Sequence, residues 1–373
     1  MPLKLMLIAG ARPNFMKVAP LLWEIERRDD VDAFLVHTGQ HYDARMSDQF
    51  FTDLRIRQPD ANLEVGSASH AVQTAEVMKR FEPVLLANRP DAVVVVGDVN
   101  STLACALTAS KLGVPVAHVE AGLRSFDRTM PEEINRILTD AISDWLFVSE
   151  PSGLANLDAE NAASERVHFV GNVMIDSLAA CLPRIEASPI LDAVSVLPGS
   201  YAVLTMHRPA NVDRLDVLAG LLGAIQRLSK EMPFVFPVHP RTRKALGVEV
   251  LDGVTFTEPL GYFDFLQLVR NARYVLTDSG GVQEETTWLG VPCLTMRENT
   301  ERPITVTQGT NRLVGLDPQL IVAQGLEAMN RLGERRPAPE LWDGQASRRI
   351  LDVLAGTSLS ATHQDAMSVS SAR

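Results

Sequence analysis

Short apolar runs alternate with longer amphipathic ones along most of the chain. In the first half, Lys4–Ala9, Ala33–Thr38, Ala92–Val96, Val116–Val119 and Trp145–Val148 read as strands. Runs without polar alternation, such as Val93–Val96, suit strands buried on both faces. Phe15–Arg28, Ala44–Leu54, Val72–Leu86, Ser101–Leu112 and Glu132–Ser143 read as helices. The second half repeats the pattern, with strands expected at Val167–Val170, Ala202–Thr205, Phe234–Val238, Val254–Thr257, Tyr274–Thr277 and Cys293–Thr295. Helices are expected there at Val173–Ile185, Leu215–Lys230, Phe263–Asn271, Val282–Leu289 and Leu320–Arg331. Repeated β-α-β units predict parallel, doubly wound sheets, with ligands outside the carboxyl ends of the strands. Two Rossmann-like domains, 1–170 and 171–343, are expected to face a deep central cleft. A last helix at 344–356 has no strand after it and is expected to pack back on the first domain. The Ser-, Thr- and Ala-rich tail, 357–373, is expected to be disordered.

Composition narrows the function. The 373 residues give room for roughly two domains, and a 46% hydrophobic share supports a sizeable core. A net charge of −11 without a Lys/Arg cluster argues against a nucleic-acid or acidic-membrane partner. Three scattered cysteines form no CxxC and fit a reducing cytosol. The apolar run Leu3–Ala9 is too short for a signal peptide or a membrane span, so a cytoplasmic protein is expected. No GxGxxG, Walker loop, HExxH or paired Cys/His spacing occurs, which argues against NAD, P-loop ATPase and zinc-hydrolase chemistry. No cofactor and no metal are expected.

The strand exits carry the candidate chemistry. Gly10-Ala11-Arg12-Pro13 follows the first strand, and Arg12 and Lys17 bring cations to a helix N-terminus. Cations oppose the dipole there, so an anionic ligand explains them better than local structure does. Thr38-Gly39-Gln40-His41 forms a second polar exit, a cleft lining or an ordinary loop. Asp98, after Gly97, opens a helix and reads equally as a helix cap or as a site carboxylate. Glu120 stands at the mouth of a central strand with no such bland explanation, whereas Glu132 and Glu133 suit the start of a helix. Asp98, Glu120 and Glu132 are expected to converge, an arrangement suited to acid/base chemistry.

In the second half, Asp278-Ser279-Gly280-Gly281 links a strand to a helix and reads as a phosphate seat made of free N–H groups. A turn capped by Ser279 is the plainer alternative. Glu285, one turn on, suits a sugar diol, and Arg302 suits a phosphate fork. His207-Arg208 and His239-Pro240 occupy two further strand exits. Phe265 can stack on a base, though core packing is the commoner use of Phe at that spacing.

Taken together, Gly10–Lys17, Thr38–His41, Gly97-Asp98, His118–Arg124, Pro131–Glu133 with Asn135-Arg136, His207-Arg208, His239-Pro240, Asp278–Glu285 and Thr300–Pro303 resemble the non-hydrolysing UDP-N-acetylglucosamine 2-epimerases. The resemblance runs from Gly10 to about Gly315. It implies a glycosyltransferase-B-like α/β fold and a UDP-sugar substrate. It implies Asp98, Glu120, Glu132 and His207 as the catalytic set. Phe265 would lie by the uracil and Glu285 on the ribose. Ser279, Gly280, Gly281 and Arg302 would hold the diphosphate, with Arg12 and Lys17 closing on it. Gln40, His41, Arg136, Arg208 and His239 complete the expected substrate-binding set. A homodimer and a place in polysaccharide biosynthesis are also expected. The implied route is elimination of UDP across C1–C2 to a 2-acetamidoglucal, followed by re-addition with C2 protonated on the other face. Two departures bear on substrate activation and on the sugar. Asn14 stands where many members have Glu, and Tyr42-Asp43 follows Gln40-His41 where many have Arg with Gln or Glu. The alternatives are a C2 epimerase of UDP-2,3-diacetamido-glucuronate, a glycosyltransferase of the same fold, a hydrolysing epimerase and a non-catalytic sensor.

Overall fold

The structure, a computed structural model, describes residues 2–39, 51–247, 251–330 and 337–356. The chain divides into two compact units, one made of residues up to Ser177 with the stretch from Glu340 onward, the other of Leu178–Pro339. Among the described residues each unit is built on one all-parallel sheet.

The first sheet has seven strands: β1 Leu3–Ala9, β2 Val31–His37, β3 Ala61–Asn62, β4 Ala92–Val96, β5 Val116–Ala121, β6 Trp145–Val148 and β7 Val167–Phe169. Their spatial order is β3-β2-β1-β4-β5-β6-β7. The chain therefore winds outward from β1 in one direction and from β4 in the other. Such a reversal opens a crevice at the carboxyl ends of the two central strands. Every residue of β4 is buried, as its Val run predicts. Met6, Ile8, Val93 and Val95 pack against Val77, Phe81, Ala104 and Ala109 of the covering helices.

The second sheet has six strands: β8 Ala202–Thr205, β9 Phe234–Pro237, β10 Val254–Thr257, β11 Tyr274–Thr277, β12 Cys293–Thr295 and β13 Asn311–Leu313. Their order, β10-β9-β8-β11-β12-β13, places the same reversal between β8 and β11. Alternate residues of these strands feed two cores. Leu204, Phe236 and Leu276 meet Leu221, Ile225 and Ile321 on one face. Val203, Val235 and Val275 meet Leu268 and Val269 on the other. The α/β, glycosyltransferase-B-like class expected of the chain is the class found.

Several local expectations are corrected. Val167–Phe169 pairs with β6 as the edge strand of the first sheet. Two edge strands, β3 and β13, carry too little apolar sequence to be read as strands. The helices Pro209–Val212, Pro240–Leu246 and Ile304–Thr307 were not foreseen, being too short to show a period. Four helices begin two or three residues earlier than their apolar periodicity suggests, at Arg12, His70, Gly280 and Pro318. The expected helix Ala44–Leu54 falls largely outside the described residues, as does 357–373. The helix Ala346–Gly356 belongs to the first unit, where Asp176 accepts from the backbone N–H groups of Ala346 at 3.1 Å and Ser347 at 2.7 Å. Just before it, the buried Trp342 donates from Nε1 to the carbonyl of Ser149 at 3.0 Å.

Candidate active site

The first unit gathers its polar residues around the ends of β1, β4 and β5. Asn14, in the first turn of the helix Arg12–Ile25, accepts from the N–H groups of Gly10 at 3.2 Å and Ala11 at 2.8 Å. Its Nδ2 donates to the carbonyl of Val96 at 3.1 Å, tying the loop after β1 to the end of β4. Gly97 follows with φ of 66°, and a Cβ there would lie 2.9 Å from Lys17 Nζ and 3.5 Å from Glu120 Oε2. Only glycine tolerates both the backbone angle and that approach.

Glu120 is the most strained residue of the group. The pairing of β5 with β6 shifts register between Val119 and Ala121, and Glu120 takes φ of 74° at that irregularity. A left-handed non-glycine residue costs on the order of 1–3 kcal/mol, and bulges re-aim side chains beside active sites. Here the re-aimed carboxylate meets Lys17 Nζ in an ion pair whose side chains are each 8% exposed.

Asp98 is held by a second cation. Arg136 Nη2 lies 2.5 Å from Asp98 Oδ2, and Arg136 Nη1 lies 2.9 Å from Glu133 Oε2. Glu133 is buried and also accepts from Ser125 N, Ser125 Oγ and Phe126 N at 2.9–3.0 Å. It anchors the loop ahead of the helix Pro131–Ile142. Glu132 is half-buried on the first turn of that helix, and at i, i+4 it shares a face with Arg136. Asn135 Nδ2 adds a bond to the Asp98 carbonyl at 2.9 Å. Behind the site, buried His118 on β5 reaches Asp140 through Nδ1 at 2.6 Å and the Gly97 carbonyl through Nε2 at 2.8 Å. Burial favours the neutral form of Asp140, but His118 and Arg124 outweigh it and hold the carboxyl below its ordinary range.

The second unit builds its site where β8 and β11 run side by side, with Thr205 opposite Thr277. The chain leaves β11 through Asp278, whose side chain is fully buried. Asp278 Oδ2 accepts from His207 N at 2.9 Å, Arg208 N at 2.8 Å and Asn211 Nδ2 at 3.2 Å. Asp278 Oδ1 lies 2.9 Å from His207 Nδ1. Arg208 Nε donates to the Asp278 carbonyl at 3.0 Å. Burial works against the ionised form of Asp278, yet the contacts from His207 and Arg208 hold its carboxyl below the usual value. The His207 side chain is 40% exposed, and its ring centroid stands 5.5 Å from that of His239. His239 caps the helix Pro240–Leu246, its Nδ1 accepting from Arg241 N at 3.2 Å.

Ser279 precedes the helix Gly280–Leu289 but makes no side-chain cap, so the plain capped turn is not what forms. The first N–H groups of a helix have no intrahelical partner, and they carry the positive end of its dipole. A Cβ on Gly280 would press on Glu301 Oε1 at 2.9 Å and Arg302 Nη1 at 3.0 Å, whereas one on Gly281 meets nothing within 4 Å. Beneath this turn lies a buried ion cluster. Arg302 pairs with Glu284 at 2.9 Å and Glu301 at 2.7 Å, and Arg297 pairs with Glu301 at 2.7 Å. Glu301 is pushed well below its ordinary range, because the two arginines overcome the cost of its burial.

The structure thus brings Lys17 to Glu120 and Asp98 to Arg136 in the first unit, and His207, Arg208, His239 and the Ser279–Gly281 turn together in the second. Arg302 stands behind the turn with part of its fork on carboxylates. Glu285 is buried on the same helix, where its charge, after burial itself, raises the phenol of Tyr262. Phe265 packs against the core beside Leu268 and Val269. Gln40 and His41, and the side chain of Arg12, lie outside the described residues. The sequence reading saw Asp278 only as the start of the seat segment and Glu133 only as a helix-start residue, and gave no role to Asn135 or the His118–Asp140 pair. Their signal was a polar residue interrupting a buried strand or helix face.

The family model described as UDP-N-acetylglucosamine 2-epimerase matches residues 23–355. The chain belongs to the UDP-N-acetylglucosamine 2-epimerase family. It is 40% identical over 365 residues to the UDP-N-acetylglucosamine 2-epimerase of Methanococcus maripaludis, covering 95% of this chain and 98% of that one. It is 41% identical to the UDP-2,3-diacetamido-2,3-dideoxy-D-glucuronate 2-epimerase of Pseudomonas aeruginosa, covering 95% and 99%. The crystal structure of the Methanocaldococcus jannaschii UDP-GlcNAc 2-epimerase in complex with UDP-GlcNAc and UDP superimposes with a TM-score of 0.89 at 39% identity, covering 95% of this chain and 100% of that one. The epimerase fold of the family therefore extends over nearly the whole chain.

Proposed function

We propose that this epimerase inverts C2 of UDP-N-acetylglucosamine, reversibly, to give UDP-N-acetylmannosamine. The observation that carries the reading is the composition of the two strand-reversal sites. One holds carboxylates aimed by a bulge and by buried cations. The other holds a glycine-opened helix N-terminus beside an oriented histidine.

The C2 proton has no neighbouring carbonyl to stabilise a carbanion, so simple removal and return is chemically poor. Elimination avoids that problem. A carboxylate takes the C2 proton, the C1–O bond breaks with its electrons going to the β-phosphate oxygen, and a C1=C2 double bond forms. Re-addition of UDP then goes with protonation of C2 from the opposite face. Asp98 with Glu120 or Glu132 move the two protons in this scheme. His207, Arg208 and the Gly280 and Gly281 N–H groups stabilise the departing diphosphate. Arg12 and Lys17 act from the carboxylate side, Arg136 holds Asp98, and Gln40, His41 and His239 complete the substrate contacts. Glu285 binds the ribose, Phe265 lies by the uracil, and Arg302 supports the diphosphate from behind its turn.

The 41% identity to the Pseudomonas aeruginosa relative favours one second reading, C2 epimerisation of UDP-2,3-diacetamido-glucuronate. We further assign the protein to the cytoplasm, where its three buried cysteines fit a reducing compartment. We also assign it to polysaccharide biosynthesis, working as a homodimer. Among the described residues no helix is long and apolar enough to cross a membrane. NMR of each UDP-sugar incubated with the protein and no acceptor tests the reaction. Formation of the C2-epimeric UDP-sugar is expected. Free N-acetylmannosamine would mean a hydrolysing enzyme, and unchanged substrate would mean a binding protein.

A further inference from the structure

The His207 loop and the helix start at Gly280 leave neighbouring strands, yet one side chain governs both. We propose that Asp278 is a positioning residue that fixes the proton of His207 on Nδ1 and so presents Nε2 as the reactive nitrogen. The inference rests on the reading of His207 as the group facing the diphosphate.

The two oxygens of Asp278 do different work. Oδ2 is saturated by three donors, the N–H groups of His207 and Arg208 and the amide of Asn211. Oδ1 is buried and makes no hydrogen bond of good geometry, and His207 Nδ1 approaches it at ion-pair distance, 2.9 Å. An ionised carboxylate only accepts hydrogen bonds, so Nδ1 must carry the proton. The second ring nitrogen then lies on the side of an imidazole whose side chain is 40% exposed. When Nε2 is protonated as well, Nε2–H can bond the β-phosphate oxygen as the C1–O bond breaks. The same residue holds Arg208 through its own carbonyl and leads directly into Ser279 and the N–H groups of Gly280 and Gly281. One buried carboxylate thus orients the imidazole, the guanidinium and the helix start.

The unequal oxygens make Asp278→Asn informative. Three donors require an acceptor at the Oδ2 position, so the carboxamide oxygen must settle there. The amide NH2 then lies opposite His207 Nδ1, where it can only donate. That forces the His207 proton onto Nε2 while leaving the loop's other bonds intact.

The test uses the full chain labelled with 15N-histidine and long-range 1H–15N correlation spectra, with UDP-sugar turnover measured in parallel. Wild-type His207 should show a protonated Nδ1 and an unprotonated Nε2 in its neutral form, and Asp278→Asn should show the reverse. The variant's kcat should fall on the order of a hundredfold or more, with KM and UDP affinity changed only a few-fold. Combined with His207→Ala, it should add almost nothing to the loss caused by that change alone. A wild-type His207 protonated on Nε2 overturns the inference, and this result does not depend on the variant folding. An unchanged tautomer in Asp278→Asn, or losses that add, also overturns it. Wild-type protein that converts neither UDP-sugar strikes the proposed function instead, because the tautomer is read without turnover.

Discussion

The two units share a winding order and differ in the sign of what they place at its reversal. In the first, the ends of β4 and β5 present Asp98 and Glu120, which pair with Arg136 and Lys17 from helices. In the second, β8 and β11 lead into His207, Arg208 and a helix N-terminus, with the acidic residues Asp278, Glu284 and Glu301 buried beneath. The same topology therefore presents carboxylates in one unit and a histidine, an arginine and a helix start in the other. Topology decides where chemistry happens, and the few residues after each central strand decide which chemistry it is.

The sharpest way to break the contrast is to neutralise the acidic side. Glu120→Gln and Asp98→Asn should each lower kcat by roughly 10²–10⁴-fold while UDP affinity, measured calorimetrically, stays within a few-fold. Equal losses of UDP affinity would mean that the first unit's carboxylates bind rather than react. Glu301→Gln leaves Arg297 and Arg302 short of a buried partner and should cost about 3–5 kcal/mol of stability in denaturant titration. Gly280→Ala pushes a methyl group into the Glu301–Arg302 pair and should cost about 1–3 kcal/mol. It should also weaken UDP binding, whereas Gly281→Ala, which meets open space, should fold normally. Loss of UDP affinity in both glycine variants would show that the ligand itself lies against Gly281.

Smaller effects follow from Asn14 and from acid. Asn14→Asp keeps the acceptor for Ala11 N–H but removes the donor to Val96, and should cost about 1–3 kcal/mol. Asp140, Asp278 and Glu301 all have folded-state values held below their ordinary ones. The stability they contribute is full above the unfolded carboxylate value of about 4 and is lost as pH falls through the depressed folded values. Thermal stability should therefore be insensitive to these groups near neutrality and decline only in acid.

Much of this was legible in the sequence because strands buried on both faces are nearly pure Val, Leu and Ile, and β4 and β11 stand out at once. The carboxylates after those strands were legible for the same reason, since a charge has no place in the run it follows. Glu120 shows where legibility ends. Its position was readable, but the bulge that turns it and the Lys17 partner 103 residues away are tertiary facts. Asp278 was read only as the start of a phosphate seat or a turn, because its partners, His207 and Asn211, come from another strand exit. Arg302 was read as a ligand fork because nothing local announced that Glu284 and Glu301 would engage it. Phe265 is half-buried, packed against the core of its unit as its helical spacing suggests.

The proposed reaction requires that the hydrogen at sugar C2 be exchanged by acidic side chains as UDP departs and returns. Incubation of the protein with UDP-N-acetylglucosamine in deuterated water, followed by proton NMR of the H2 resonance, tests it most directly. The account predicts that deuterium from solvent appears at C2 of the epimeric product as it forms. Epimer that forms with its original hydrogen retained at C2 would contradict it.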